Sequence, residues 1–297
     1  DIDYRKPIKN GPTEYGFDEY FGVDVPNFPP YCFIENNHTI GIPDRLKPDN
    51  MFGHPGSMVE GWEFENIMPT LTEKAVNYIN SKKNSDEPFF MYFSMTGPHT
   101  PIAPTDDFLG KSNAGIYGDF CIQLDDSIGK IHDAIIANNL DEDTMIIITS
   151  DNGSPGRDGN NEAPGTVKER YGHDSSWIFR GIKGDLWEGG HRIPFIVRWP
   201  NCIEKDVVEN RLICLNDMIS TFAGIVGDKL DVGYSLDSFD ISPYFLGCDE
   251  NTVIRNDLIH HSVDGLYGYR NGKWKLIFGN ESGGMSPSPK IYREINI

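Results

Sequence analysis

Two apolar runs stand out in the middle of the chain. Phe89-Phe90-Met91-Tyr92-Phe93 follows Pro88, and Met145-Ile146-Ile147-Ile148 precedes Thr149-Ser150-Asp151-Asn152-Gly153. Short runs rich in aromatic and β-branched residues, bounded by turn formers, predict buried strands. Between them Phe120, Leu124, Ile128, Ile131 and Ile135 recur at intervals of 4, 4, 3 and 4, which predicts a long helix. Strand, helix and strand with short connections predict a βαβ crossover, and so two parallel strands. Leu71, Ala75, Tyr78 and Ile79 give a further helical stripe, with Thr70 and Glu73 as a capping box at its start and an end near Ser81. Residues 193–200 read as a third strand, and Met218, Phe222 and Ile225 mark a later helix.

The first sixty residues lack such periods. Pro7, Pro12, Pro26, Pro29, Pro30, Pro43, Pro48 and Pro55 recur too often for long helices. Tyr15, Phe17, Tyr20, Phe21, Tyr31 and Phe33 make the segment too aromatic for low-complexity disorder. The expectation is ordered coil that covers part of a core.

Composition narrows the function classes. The 297 residues carry 45 acidic and 26 basic side chains, a net charge of −19. That balance excludes nucleic acid as a partner, because phosphate contacts need clustered Lys and Arg. Cys32, Cys121, Cys202, Cys214 and Cys248 show neither CxxC nor CxH spacing, so no zinc site or disulfide framework is indicated. Cys121 and Cys214 sit in apolar patterns and read as buried thiols. There is no apolar run of 18 residues, hence no transmembrane segment, and the N-terminus lacks the hydrophobic region of a signal peptide. The protein is therefore cytosolic, or the chain is not the whole precursor.

The candidate chemistry lies where the two strands end. Asp151 and Asn152 place a carboxylate and an amide oxygen on a loop, which suits either an ordinary turn or a hard divalent cation such as calcium. His99, held between Pro98 and Pro101, falls at the equivalent edge and reads as either structural or functional. After a long polar loop over 154–171 comes the densest cationic segment of the chain, with Lys168, Arg170, His173, Arg180, Lys183, His191 and Arg192. Scattered surface cations explain such a segment as readily as an anion site does. Glycines surround Lys183, so backbone can approach a ligand there, and a lysine suits phosphate or sulfate oxygens. Asp125 and Asp126, within the long helix, read as a solvated face.

Several of these features occur together, in order, in one known family. Pro98-His99-Thr100-Pro101, Ser150-Asp151-Asn152-Gly153, Lys183 and the run Trp187-Glu188-Gly189-Gly190-His191-Arg192-Ile193-Pro194 resemble the sulfatases. Residues 12–22 resemble the segment that follows the sulfatase Gly-Lys-Trp-His motif, and residues 269–277 resemble a strand of its small C-terminal domain. The resemblance implies an α/β fold of the alkaline phosphatase superfamily, with a mixed, mainly parallel sheet flanked by helices. It divides the chain into a sulfatase-like domain over 1–235 and a small antiparallel α+β subdomain over 236–297. It implies a sulfuric ester hydrolase acting on a sulfated carbohydrate or aryl sulfate. His99 would protonate the leaving oxygen, Lys183 would contact the sulfate, and Asp151 and Asn152 would help hold Ca2+. His191, Arg192, His173 and Asp174 are candidate substrate-binding residues. The parent protein would be periplasmic, secreted or lysosomal; the resemblance carries no oligomeric state.

The chain departs from the family pattern at several points, and the Lys and His of the Gly-Lys-Trp-His motif are among the missing residues. No cysteine or serine has the Cys/Ser-x-Pro/Ala-x-Arg context that matures to formylglycine, and the aspartate pair completing the calcium site is not present. The expectation is a C-terminal portion of a sulfatase that is inactive alone, with the formylglycine in the missing N-terminal part. The alternatives are a phosphatase or phosphonate hydrolase of the same superfamily, and a noncatalytic sulfatase-like binding protein.

Overall fold

The computed structural model describes residues 2–156, 166–231, 233 and 235–286. Its contacts divide into two compact units, residues 1–140 with 157–173, and residues 141–156 with 174–297.

The first unit opens with the proline-rich stretch, which is ordered as expected. Its two-residue strands β1 (Phe21–Gly22), β2 (Ile34–Glu35) and β3 (His38–Thr39) form one antiparallel sheet, and β4 (Arg45–Leu46) pairs with β5 (Ser57–Met58). Tyr31 and Cys32 lie at its core, 1% and 0% exposed. The Tyr31 hydroxyl donates to the carbonyl of His54 at 2.7 Å, which ties the coil across 23 residues. Cys32, rather than Cys121 or Cys214, is the fully buried thiol; the other two are only half-buried. An apolar pattern along the sequence does not by itself decide how deep a thiol lies. Burial, with Asp24 nearby, pushes the Cys32 thiol up to about 11.

Helix α1 spans Ile67–Ser81 and buries Met68, Leu71, Ala75 and Ile79. Its end matches the sequence reading, but its start does not. A 3-10 turn over Phe64–Asn66 leads into it, and the Thr70 hydroxyl donates back to the Asn66 carbonyl at 2.7 Å. Thr70 thus sits inside the helix and does not cap it. A serine or threonine in a helix interior can make this i−4 bond as readily as a capping bond, so the motif alone is ambiguous.

Helix α2 (Gly115–Ala137) carries the expected stripe and packs against α1, with Phe120 and Ile135 buried. A second, polar stripe on α2 is buried as well. Asp119 accepts from the backbone N–H groups of Gly110 and Ser112, and Gln123 accepts from that of Thr105. These bonds hold the 105–112 loop on the helix. Asp126 faces solvent in an i,i+4 pair with Lys130 at 2.7 Å, as a solvated face requires. The short helix α3 (Val167–Tyr171) starts on a capping box of Thr166 and Glu169 and inserts Val167 into the core with Met68, Ile102, Tyr117 and Phe120. The remainder of the 154–171 loop, residues 157–165, lies outside the described residues.

The run at 89–95 belongs to no ladder among the described residues. It is not a fully buried strand: Phe90 and Tyr92 are 59% and 76% exposed, while Phe89 packs edge-on against Tyr78 of α1 and Met95 joins the core. Its alternation is that of a half-buried segment, which an all-apolar run conceals.

In the second unit β6 (Ile146–Thr149) pairs with β7 (Phe195–Arg198) in antiparallel register, Ile146 opposite Arg198 and Thr149 opposite Phe195. β6 is a strand as expected but not a buried one: Ile146, Ile147 and Ile148 are half-buried and Thr149 is exposed, because among the described residues its sheet has only two strands. One-turn α4 (Glu188–His191) precedes β7, and helices α5 (Asp217–Val226) and α6 (Ser242–Leu246) follow it. An antiparallel sheet of β8 (Asp257–His261), β9 (Tyr267–Asn271) and β10 (Trp274–Ile277) follows, with β9 central. Residues 269–277 are therefore a hairpin through Gly272 and Lys273, not one strand. Every ladder among the described residues is antiparallel, and the one parallel pairing is an isolated bridge from Tyr31 to Met58. The mixture of helices and strands is that of an α/β protein, but the parallel βαβ pair is not formed among the described residues, because 89–95 belongs to no ladder there and β6 pairs with β7. No described helix is long and apolar enough to cross a membrane.

Candidate functional site

The β6–β7 pair delivers two loops to one place in the second unit. Thr149 fixes the exit of β6, its hydroxyl donating to the Pro194 carbonyl at 2.9 Å. Beyond it, the Gly153 N–H donates to the Gly190 carbonyl at 3.0 Å, and the Lys183 N–H donates to the Ser154 carbonyl at 2.7 Å. The loop carrying Asp151 and Asn152 is thus bonded backbone to backbone with the loop carrying Lys183.

Glycines make this approach possible. A Cβ on Gly153 would lie 1.8 Å from the Gly189 carbonyl oxygen, one on Gly189 would lie 2.0 Å from the Gly181 oxygen, and one on Gly190 would lie 2.2 Å from the Asp185 oxygen. All three contacts are with backbone, which cannot swing aside as a side chain can. The Gly-Gly of α4 is therefore a packing requirement of the site.

Asp185 organises the Lys183 loop from beneath. Its fully buried carboxylate accepts from the backbone N–H groups of Ile182 at 2.8 Å and Ser286 at 3.0 Å, and from the Ser286 hydroxyl. Sequence reading passed over it, since its partner Ser286 is 101 residues away. Glu188 was also missed as a functional residue. It accepts from Lys275 at 3.0 Å and from Arg270, and Arg192 stands 3.8 Å away. Burial alone would raise the Glu188 carboxyl, but Lys275 and Arg270 outweigh it and hold the group below the usual carboxylate range.

Asp151 is exposed at the loop tip, with no hydrogen-bond or ion-pair partner among the described residues. Asn152 donates from its amide to the Gly153 carbonyl at 3.1 Å, while the Ser150 hydroxyl donates to the Asn152 carbonyl at 3.0 Å. The Asn152 amide oxygen thus keeps no donor among the described residues. One carboxylate and one amide oxygen are the hard donors calcium takes, so their chemistry fits that ion. Calcium needs six to eight oxygens, and among the described residues no three acidic, His or Cys groups converge on a metal site. Two donors from this loop can be only part of its shell.

The other candidates divide between the units. The Lys183 ammonium has no partner among the described residues. Arg192 lies over the ring of Phe179, 5.0 Å from its centroid. The ring of His191 stands 4.3 Å from that of His260, with its Nε2 buried and without a partner, so it faces the C-terminal sheet. Burial, reinforced by the Lys275 charge, pushes the His191 imidazole down to about 4. Asp174 accepts from the Ser176 and Trp177 N–H groups and shapes the 174–179 turn. His99 and His173 belong to the first unit, both exposed. The peptide bonds Gly97–Pro98 and Thr100–Pro101 beside His99 are cis, and His99 Nδ1 lies 2.7 Å from the Thr100 carbonyl oxygen. That carbonyl can only accept, so in this bond Nδ1 carries the hydrogen, which leaves Nε2 outside it.

Known proteins resemble the chain over most of its length. The family profile for sulfatases matches residues 7–227. An N-acetylgalactosamine-6-O-sulfatase of Bacteroides thetaiotaomicron is 28% identical, over 93% of this chain and 60% of its own. An arylsulfatase of Hemicentrotus pulcherrimus is 33% identical, over 90% of this chain and 45% of its own. A solved structure of a 6S-sulfatase from the metabolism of multiple glycosaminoglycans by Bacteroides thetaiotaomicron superposes with a TM-score of 0.81 at 27% identity, covering 93% of this chain and 64% of that one. The solved Ps i-CgsB in complex with a neocarrahexaose, at 21% identity and a TM-score of 0.67 over 92% and 60% of the two chains, shares the fold. The chain spans about half the length of the curated relatives it matches, 60% and 45% of the two named here. With an alkaline phosphatase-like α/β fold and these motifs in order, the chain belongs to the sulfatase family.

Proposed function

We propose that the protein hydrolyses a sulfuric ester on a sulfated carbohydrate, with N-acetylgalactosamine 6-sulfate as the first candidate unit. The observation that carries this reading is the glycine-locked junction of the Asp151-Asn152 and Lys183 loops, which places metal-type oxygens and an unpaired ammonium on one support. A sulfate ester presents anionic oxygens, and an ammonium fixed beside a metal neutralises charge that grows as the S–O bond breaks. The name of the Bacteroides relative supports the choice of sugar. Aryl sulfates remain substrates of the same chemistry.

The roles follow from the donors available. Asp151 and Asn152 would hold calcium, which supplies Lewis-acid neutralisation of the ester oxygens; the nucleophile of the family, a formylglycine, has no counterpart motif in this chain. Lys183 binds a sulfate oxygen as a point charge. His99, with Nδ1 committed to the Thr100 carbonyl, is the proton donor to the leaving alcohol oxygen through Nε2. Arg192, Asp174 and His173 serve substrate subsites, and His191 supports them by packing against His260. A small C-terminal subdomain over 236–297 and a periplasmic, secreted or lysosomal setting belong to the same reading.

The test is release of sulfate from N-acetylgalactosamine 6-sulfate and from an aryl sulfate by the full-length protein, beside the matching phosphate monoesters. Preferential turnover of the sulfates is the expected result. Preference for the phosphates would replace the reading with a phosphatase, and binding without turnover of either would replace it with a carbohydrate-binding role.

A further inference from the structure

Trp177 is 70% exposed and has φ of +53°. A bulky residue other than glycine in the left-handed region is a steric outlier, and such strain persists only where the surroundings impose it. Here they do. The Trp177 N–H donates to the Asp174 carbonyl at 2.9 Å, the Phe179 N–H donates to the Ser176 carbonyl at 3.0 Å, and the Ser154 hydroxyl anchors Ser175 at 2.8 Å. The turn is thereby moored to the Asp151 loop of the same unit.

Its aromatic side chains form a short stack with cations around it. The Trp177 ring meets Phe179 edge-on at 6.0 Å, and Phe179 carries the Arg192 guanidinium 5.0 Å above it. Arg180 lies 3.6 Å over Trp187 and has no carboxylate partner among the described residues, so its N–H donors are available to an anion. Three cations, Arg180, Lys183 and Arg192, thus stand within 13 residues of sequence in a chain of net charge −19. An exposed indole offers an apolar face to the C–H groups of a sugar ring, and nearby guanidinium groups suit its anionic substituents.

We propose that the 174–180 turn is a glycan subsite, in which Trp177 stacks on a sugar ring of the polymer next to the sulfated residue and Arg180 binds an anionic group on it. This inference rests on the reading of the protein as a sulfated-carbohydrate hydrolase and adds that the substrate is longer than one sugar. A monosaccharide sulfate leaves the platform unused; an oligosaccharide gains its contact.

The experiment compares kcat/KM of the full-length protein on a tetrasaccharide containing N-acetylgalactosamine 6-sulfate with that on the 6-sulfated monosaccharide. Trp177→Ala is expected to lower the ratio of the two about tenfold, the scale of one aromatic contact, and Trp177→Phe to keep most of it. Trp177→Gly removes the ring while relieving the backbone, so it should lower the ratio as far without lowering the melting temperature. Ile178→Ala, equally exposed, should leave the ratio at the wild-type value. A ratio unchanged by Trp177→Ala, with both substrates turned over, would overturn the platform. Absence of sulfate release from both substrates by the wild type would instead overturn the hydrolase reading and this inference with it.

Discussion

Asp217 and Arg255 meet as a forked ion pair buried inside the second unit. The Arg255 Nε donates to Asp217 Oδ2 at 2.9 Å and its Nη2 donates to Oδ1, with 6% of the Arg255 side chain and none of the Asp217 side chain exposed. Asp217 also accepts from the backbone N–H groups of Cys214 at 2.8 Å and Phe239 at 3.0 Å, at the start of α5. One carboxylate thereby joins α5, the 237–240 turn and the segment entering β8. Removing one partner strands a buried charge, which costs about 3–5 kcal/mol. Asp217→Asn and Arg255→Met should each lower the unfolding free energy obtained from urea titration by that scale; a loss under about 1 kcal/mol would show the pair to be peripheral.

Glycine substitutions separate packing from backbone freedom. Gly153→Ala puts a Cβ 1.8 Å from a carbonyl oxygen and should disrupt the junction of the two loops, costing about 1–3 kcal/mol or more. Gly129, inside α2 with nothing within 4 Å of its would-be Cβ, has the opposite expectation. Gly129→Ala should stabilise by roughly 0.5–1 kcal/mol through helix propensity. Thermal melts of both variants check the pair of signs.

Acid should weaken the second unit through His191 and His260. Burial, aided by Lys275, pushes both imidazoles down to about 4 from 6.5. Glu188 and Asp185 oppose this shift without reversing it at His191. The unfolded chain protonates these groups near pH 6.5 while the folded one resists until about 4, so the unfolded state binds more protons between. Stability is therefore full above about pH 7, falls as the pH drops through 6.5, and levels off below 4. Denaturation at pH 7.5 and 5.0 should show a smaller acid loss for His260→Leu than for the wild type; equal losses would sink the assignment.

Leaving-group dependence tests His99. If Nε2 protonates the departing oxygen, His99→Ala in the full-length protein should cut kcat by about 10²–10⁴ on an alkyl or sugar sulfate. The loss should be much smaller on nitrophenyl sulfate, whose phenolate leaves without a proton. Equal losses on both substrates would assign His99 to binding instead.

Local patterns were legible where chemistry and packing are set by near neighbours. The α2 stripe from Phe120 to Ile135, the end of α1 at Ser81, the β6 run and the ordered proline-rich coil all follow from periods and turn residues a few positions apart. The site motifs Asp151-Asn152 and Lys183 were legible through their order along the chain. The start of α1 was misplaced because the Thr70 hydroxyl serves capping and back-bonding equally well. The depth of 89–95 was misjudged because an all-apolar run does not reveal which alternate residues face inward.

Family and fold class were thus within reach of the sequence by itself, since both depend on motifs and on hydrophobic periods that short-range sterics enforce. Only the tertiary structure decided that β6 pairs antiparallel with β7, that Asp185 supports the Lys183 loop from Ser286, and that Glu188 is held by Lys275 and Arg270. It also set Trp177 outward on a strained turn and closed Asp217 on Arg255. Each of these contacts joins partners brought together by the path of the backbone, and hydrogen bonding and burial reward proximity in space, whatever the separation along the chain.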